Sequence, residues 1–328
     1  MTVRFGKVEL CILACIILTL AFSLTGFAQS QDTARYPSKP ITYVIPLPAG
    51  GAPDLASRLI CKEAEKFLGQ PIVAVNKPGG SFSVGIAAIA SAKPDGYTIG
   101  YTGHPGMFVS PLTDKVPYHP VKDLRQIMQY AYMNVAVTVK GDSPFKDFKD
   151  IIAFARQNPK KLTYGSAGVG SLGHLAMEQI AKREKVQFTH IPFKGSPETQ
   201  VALLGGHILV GTGDFNYPLL ESGQVRLLLL IAEKPSPDYP KTPILKDLGY
   251  DIPAPTFLNV AGPKGLPDDI VRKLDDAFSR AMKEPSFIKG MKELRFTVFY
   301  RGAKEMDNYV AMNFDLFAKL LKEEGLIK

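Results

Sequence analysis

The sequence has 328 residues, a formal net charge of +8, 45% hydrophobic residues and three cysteines. That length and apolar content exclude a disordered chain and a small disulfide-stapled one, and they leave material for two cores. The basic excess contains no run of five or more Lys/Arg, and charges of both signs alternate along the C-terminal helices, so no nucleic-acid partner is expected. A mildly positive surface at most favours anionic solutes.

In chain order, Arg4 and Lys7 precede an apolar run from Val8 to about Phe27. Small residues lead to Gly26-Phe27-Ala28, and the chain turns polar at Gln29. These are the parts of a secretory signal peptide over residues 1–28, with cleavage expected near Ala28 and a periplasmic destination. A membrane anchor fits less well, because no basic stop-transfer cluster follows. Cleavage removes Cys11 and Cys15 and leaves Cys61 on a helical face, where it reads as a small buried hydrophobe.

The next units alternate strand and helix. Ile41–Leu47 reads as a buried strand, a helix follows from Pro53, and Ile72–Val75 is a second strand. Phe82–Ala92 is a helix and Tyr97–Tyr101 a third strand. After an irregular stretch the pattern restarts with strand Asn134–Val139 and helix Phe148–Gln157, for which Asp147 is the N-cap candidate. Strand Leu162–Tyr164, helix Ser171–Lys182, strand Phe188–Phe193, helix Pro197–Leu204 and strands Ile208–Gly213 and Val225–Ile231 complete a second unit.

Pro253-Ala254-Pro255 marks a crossing back to a helix-rich tail: helices Pro267–Met282 and Pro285–Leu294, strand Thr297–Tyr300 and a final helix from Lys304. In that helix Val310, Phe314, Phe317 and Leu321 share one face, expected to pack on the first unit. The architecture expected is α/β, with residues 36–132 plus 257–328 in domain 1 and 133–256 in domain 2. Two crossings join them, and a ligand cleft lies between.

Three Gly-rich loops end strands and open helices: Pro48–Pro53, Pro78–Ser83 and Gly165–Ser171. Helix N-termini at strand carboxyl ends present free N–H groups and partial positive charge, which suits an anion. Gly168-Val169-Gly170-Ser171-Leu172-Gly173 also fits G-x-G-x-x-G, so a dinucleotide-dependent enzyme is the alternative. Thr189–Phe193 lacks the acidic residue such a site needs on the next strand. Val169-Gly170-Ser171-Leu172-Gly173 misses the first glycine of a serine nucleophile elbow, and His174 on the same helix reads as a local contact. The five histidines lack metal-ligand spacing. No catalysis, cofactor or metal is expected.

These loops lie within a longer set of motifs. It comprises Tyr36-Pro37-Ser38-Lys39-Pro40-Ile41, Pro46-Leu47-Pro48-Ala49-Gly50-Gly51 with Asp54, Asn76-Lys77-Pro78-Gly79-Gly80 and Lys93-Pro94-Asp95-Gly96-Tyr97-Thr98. Tyr164-Gly165-Ser166-Ala167-Gly168 with Ser171 and His174, Pro192-Phe193-Lys194-Gly195 and Gly262-Pro263-Lys264-Gly265-Leu266-Pro267 follow. In this order they resemble the periplasmic receptors of tripartite tricarboxylate transporters, or Bug receptors.

The resemblance implies a two-lobed type II periplasmic-binding-protein fold, a small carboxylate ligand and delivery to a membrane permease of large and small subunits. An exported sensor that signals to a partner protein is the alternative of another class. The receptor is expected to be a monomer. The resemblance places one carboxylate at Leu47, Pro48, Ala49, Gly50 and Gly51, with Asp54 nearby, facing Ser166, Ala167, Gly168 and Ser171 across the cleft. Ser81, Gly103, His104, His174, Lys194, Gly195 and Asp214 complete the candidate site. Asp214 matches an acidic position that meets a ligand amino group in some relatives, with a helix cap as its structural alternative. Gly79-Gly80-Ser81-Phe82 departs from the Gly-Ala-Gly-Gly of many relatives, which implies an extra aromatic wall from Phe82. Lys234–Pro240 replaces an Arg-rich segment.

Overall fold

The computed structural model describes residues 36–327 except Phe215, so the expected signal segment lies outside the described residues. The chain opens with β1 (Ile41–Ile45), α1 (Ala52–Leu68), β2 (Ile72–Asn76), α2 (Ser83–Ala90), β3 (Thr98–Gly100), α3 (Ser110–Thr113) and β4 (Leu124–Tyr132). It continues through β5 (Val135–Lys140), α4 (Phe148–Gln157), β6 (Leu162–Ser166), α5 (Leu172–Glu184), β7 (Phe188–Pro192), α6 (Ser196–Leu204), β8 (Val210–Asp214), α7 (Tyr217–Glu221) and β9 (Val225–Ile231). It closes with β10 (Leu258–Pro263), α8 (Asp268–Ala281), α9 (Pro285–Glu293), β11 (Thr297–Gly302) and α10 (Ala303–Glu323).

Two sheets result. One has the order β11-β4-β10-β3-β1-β2, the other β7-β6-β8-β5-β9. β1, β2 and β3 are parallel, as are β6, β7 and β8, so the loops after these strands emerge at common sheet edges. The chain passes from the first sheet to the second between Tyr132 and Val135, and returns between Ile231 and Leu258. This is the two-lobed fold expected.

The helices form where sequence and packing agree. α1 starts with a proline in its first turn, buries Ala56, Ile60, Cys61, Ala64 and Leu68, and ends at left-handed Gly69, whose N–H bonds Glu65 O. α9 comes close to it, since a Cβ on Gly290 would lie 2.4 Å from Leu59 Cδ2. α4 has the expected Asp147 cap, reinforced by Asp150 in a capping box. Around the first sheet Ile41, Tyr43, Ile99, Tyr130, Leu258, Leu274 and Phe278 form one core. Around the second, Val137, Ile151, Leu162, Tyr164, Leu175, Ile180 and Leu229 form another, which continues through Phe108, Phe257 and Phe317 beside the crossings.

Two elements differ from expectation. β4 lies inside the stretch read as irregular, and β10 inside the tail read as helix-rich. β10 lies between β3 and β4 in the sheet, and every residue from Leu258 to Pro263 is buried, so both of its faces are covered. Such strands carry no polar/apolar alternation to announce them. β4 likewise buries Gln126 and Gln129. Asn259 repays its burial by donating to Thr102 Oγ1 (2.8 Å) and Gln126 Oε1 (2.7 Å) and accepting from Thr102 N–H (2.9 Å). It thereby fixes the loop after β3.

Candidate functional site: a cleft between the lobes

A cleft of about 190 Å³ opens between the two sheets. Phe82, Tyr101, His104 and Pro105 line it from the first lobe, and Ala167, Ser171, Leu172, Gly173, Ser196, Thr212, Gly213 and Asp214 from the second. Met133 and Val135 lie at the crossing. A neighbouring cavity of about 120 Å³ shares Met133 and Asp214 and is also bordered by Ala52, Pro53 and Arg295. The Arg295 guanidinium pairs with Glu221 at 2.7 Å and lies over the Tyr217 ring.

The second-lobe floor is the N-terminus of α5. Ser171 caps it by accepting from His174 N–H (3.3 Å), while Leu175 N–H bonds Ser171 O. The first-turn N–H groups of Leu172 and Gly173 have no intrahelical acceptor, and both residues line the cleft. Gly173 is required here, because a Cβ would meet Thr212 Oγ1 at 2.3 Å. His174 Nδ1 accepts from Gly170 N–H (3.1 Å), so this nitrogen is engaged with the loop and Ser171 Oγ acts as a cap. His174 stacks on His190 at 4.2 Å, and His190 Nε2 bonds Ser166 Oγ at 2.8 Å. Burial lowers the His174 pKa, and burial together with the His174 charge brings His190 down to about 4. Both rings are neutral near pH 7.

Across the cleft, His104 is buried between Phe108 and Phe317, and burial pushes its pKa down to about 3. Among the described residues its buried Nε2 has no hydrogen-bond partner. A buried polar atom left open in this way costs on the order of 1–3 kcal/mol, which a ligand can recover.

Phe82 forms the aromatic wall. Ser81 and Phe82 are both left-handed (φ 49° and 80°), a conformation costing on the order of 1–3 kcal/mol per residue without glycine. The Phe82 ring packs edge-on to Tyr101 at 6.0 Å. A Cβ on Gly103 would lie 2.0 Å from Phe82 Cε2, and one on Gly106 would lie 2.9 Å from Phe82 Cβ, so two glycines make the seat for this side chain.

The first-domain loop occupies a different place. Leu47, Pro48, Ala49, Gly50 and Gly51 do not border the 190 Å³ cleft, and their continuation Ala52-Pro53 borders the smaller cavity. Asp54 is buried beneath this loop. Burial alone raises its carboxyl pKa, but donations from Arg58, Gly50 N–H and Asn76 outweigh burial and hold it below the ordinary aspartate range. Asn76 Nδ2 also bonds Leu47 O (2.9 Å), so Asp54 and Asn76 together shape the loop.

Of the other candidates, the structure brings His104, Ala167, Ser171 and Asp214 together around the cleft. Gly103 seats Phe82. Ser166 is fully buried, bonding Gly168 O and His190. Gly168 holds a left-handed turn at φ 112°. Ser81, Lys194 and Gly195 lie outside the lining. The Lys194 N–H bonds Glu198, and Gly195 is the N-cap position of α6.

Asp214 caps no helix; Asn216 does so for α7. The Asp214 carboxyl is open to the cleft solvent, yet the enclosing walls remove enough water to raise its pKa, an effect partly offset by the Ser196 hydroxyl (3.1 Å). Tyr101, Met133, Ser196 and Thr212 were not legible as site residues. Their one signal is position, at the ends of β3, β4 and β8 or at the start of α6.

Two α/β lobes joined by two strand-to-strand crossings, with a small cleft at the strand carboxyl ends, define a solute-binding protein. The chain belongs to the tripartite tricarboxylate transporter family receptor group, whose family model matches residues 56–326. It is 36% identical over 311 residues to a protein of the gbd 5′ region of Cupriavidus necator, covering 94% of this chain and 95% of that one. A solved TctC solute-binding protein from Polaromonas superposes with a TM-score of 0.79 at 29% identity, covering 88% of this chain and 99% of the other. R. palustris Rpa4515 with adipate superposes at 0.73 and 26% identity, covering 88% and 98%.

Proposed function

We propose that this chain is a periplasmic receptor, exported by a signal peptide cleaved near Ala28, that captures a small carboxylate between its lobes. It acts by binding rather than by catalysis, and it delivers the ligand to the large and small membrane subunits of a tripartite tricarboxylate-type transporter. Residues 36–132 plus 257–328 form one lobe and 133–256 the other, and the two crossings act as the hinge. The observation that carries the reading is the start of α5, whose Leu172 and Gly173 N–H groups lack intrahelical acceptors, opening on a cleft that residues of both lobes line. Pre-oriented N–H donors at a helix N-terminus favour an anion without requiring a lysine or arginine. Adipate in a structural relative supports the ligand class.

Native mass spectrometry of gently purified protein, followed by thermal shifts against a panel of carboxylates and amino acids, tests the proposal. A ligand at a hundredfold excess over Kd stabilises by about 2.7 kcal/mol. A retained acid or a shift confined to carboxylates supports it; shifts confined to amines or sugars would contradict it.

A further inference from the structure

We infer that the cleft selects a monocarboxylate carried on a single planar ring, and that Phe82 is the residue that selects the ring. The inference rests on the carboxylate reading above and narrows it.

Charge supplies the first argument. Among the described residues lining the 190 Å³ cleft there is no lysine or arginine, and the one formally charged side chain is Asp214. A single carboxylate finds donors at the α5 N-terminus in the Leu172 and Gly173 N–H groups, which have no intrahelical acceptor. A second carboxylate on the same ligand would need donors beyond the α5 N-terminus and would share the cleft with the Asp214 carboxylate. Like charges in a site partly walled from water are disfavoured.

The walls supply the second argument. Phe82, Tyr101, Pro105, Met133, Val135 and Leu172 enclose the remaining space with apolar and aromatic surface. The size fits as well, since a dry apolar cavity of about 150 Å³ takes up benzene. Aromatic rings gain from edge or offset contact with other rings, and Phe82 and Tyr101 already stand edge-to-face, presenting such surfaces.

The third argument is the effort spent in placing Phe82. The side chain sits on a left-handed backbone that suits glycine, seated over Gly103 and Gly106, where any larger residue would expel it. Backbone strain of this kind persists where the surrounding structure over-determines it, commonly at ligand clamps. Core packing alone does not need it, because Phe82 is only half-buried and borders the cleft.

Isothermal titration of the mature protein with benzoate, cyclohexanecarboxylate and adipate, repeated on Phe82→Gly and Phe82→Leu, tests the inference. Glycine suits the left-handed backbone, and leucine keeps bulk while removing the ring. Benzoate is expected to bind at least tenfold more tightly than adipate, a difference of about 1.4 kcal/mol. Both variants should lose at least tenfold in benzoate affinity while circular dichroism shows an intact fold. Adipate binding as tightly as benzoate would overturn the ring preference and leave the carboxylate receptor standing. Benzoate preferred but indifferent to both variants would overturn the role of Phe82. Failure of all three acids to bind, with other acids also silent in the thermal panel, would overturn the receptor reading itself.

Discussion

Gly103→Ala is the sharpest steric perturbation of the cleft. The added Cβ would lie 2.0 Å from Phe82 Cε2, 2.5 Å from Cδ2 and 2.8 Å from the Tyr101 hydroxyl. Real Cβ contacts of that length do not occur, so the ring must move, and Gly106 with Ile86 blocks retreat on one side. The open direction is the cleft. Overpacking of this size costs about 1–3 kcal/mol, which lowers Tm by roughly 2–4 °C per kcal/mol for a unit of 150–250 residues. Ligand affinity should fall at least tenfold, about 1.4 kcal/mol, because the displaced ring takes ligand volume.

Scanning calorimetry and isothermal titration read both effects. A double variant with Phe82→Gly removes the clashing ring, so the stability cost of Gly103→Ala should shrink by more than about 1 kcal/mol in that background, a coupling typical of residues in contact. A folded Gly103→Ala protein with unchanged Tm and affinity would refute the account of Phe82 and its seat.

Three further outcomes are expected. Asn259→Ala strands the Thr102 N–H and Gln126 Oε1 in the first-lobe core and should cost roughly 2–4 kcal/mol by urea denaturation; a cost below about 1 kcal/mol would mean the network contributes little. Because the Asp54 carboxyl pKa is lowered in the folded state, its contribution is present above about pH 4 and is lost as pH falls through the folded value. Asp54→Asn should therefore destabilise at pH 6 and less so at pH 3, as measured by denaturant midpoints. His104 titrates at about 3 when folded, against an ordinary value of 6.5, so the unfolded chain binds the extra proton between those values. Stability should decline as pH drops from about 6.5, by up to about 1.4 kcal/mol per pH unit for this group. His104→Phe should flatten that decline, and an unaltered pH profile would show that His104 is not held neutral in the fold.

Much of the fold was legible because local signals and packing agree. Val225–Ile231 is an apolar β run flanked by turn residues, Asp147 announces α4, and the Val310–Leu321 stripe buries against β4 and the turn at Pro105–Val109 as its spacing requires. β4 and β10 were hidden for a shared reason. Both are buried on both faces, so neither alternates, and Gln126, Gln129 and Asn259 read as loop polarity until the Asn259–Gln126 bond and the Gln129 bonds to Ala131 O and Arg301 explain them. The second-lobe half of the site was legible from its glycines and Ser171, because a helix N-terminus has a local signature. The first-lobe half was less so. Phe82 meets Tyr101 and Gly103 through a register between β1, β2 and β3 that no local pattern encodes, and Leu47–Gly51 does not line the cleft, while its continuation Ala52-Pro53 borders the smaller cavity.

Amide hydrogen exchange with and without a saturating carboxylate, benzoate or adipate, whichever binds, tests the central claim most directly. Binding between the lobes predicts added protection at once in Gly168–His174 of the second lobe and Tyr101–Pro105 of the first, with the far strands β2 and β7 unchanged. Protection confined to one lobe, or found only around Arg295 and the start of α1, would contradict capture in this cleft.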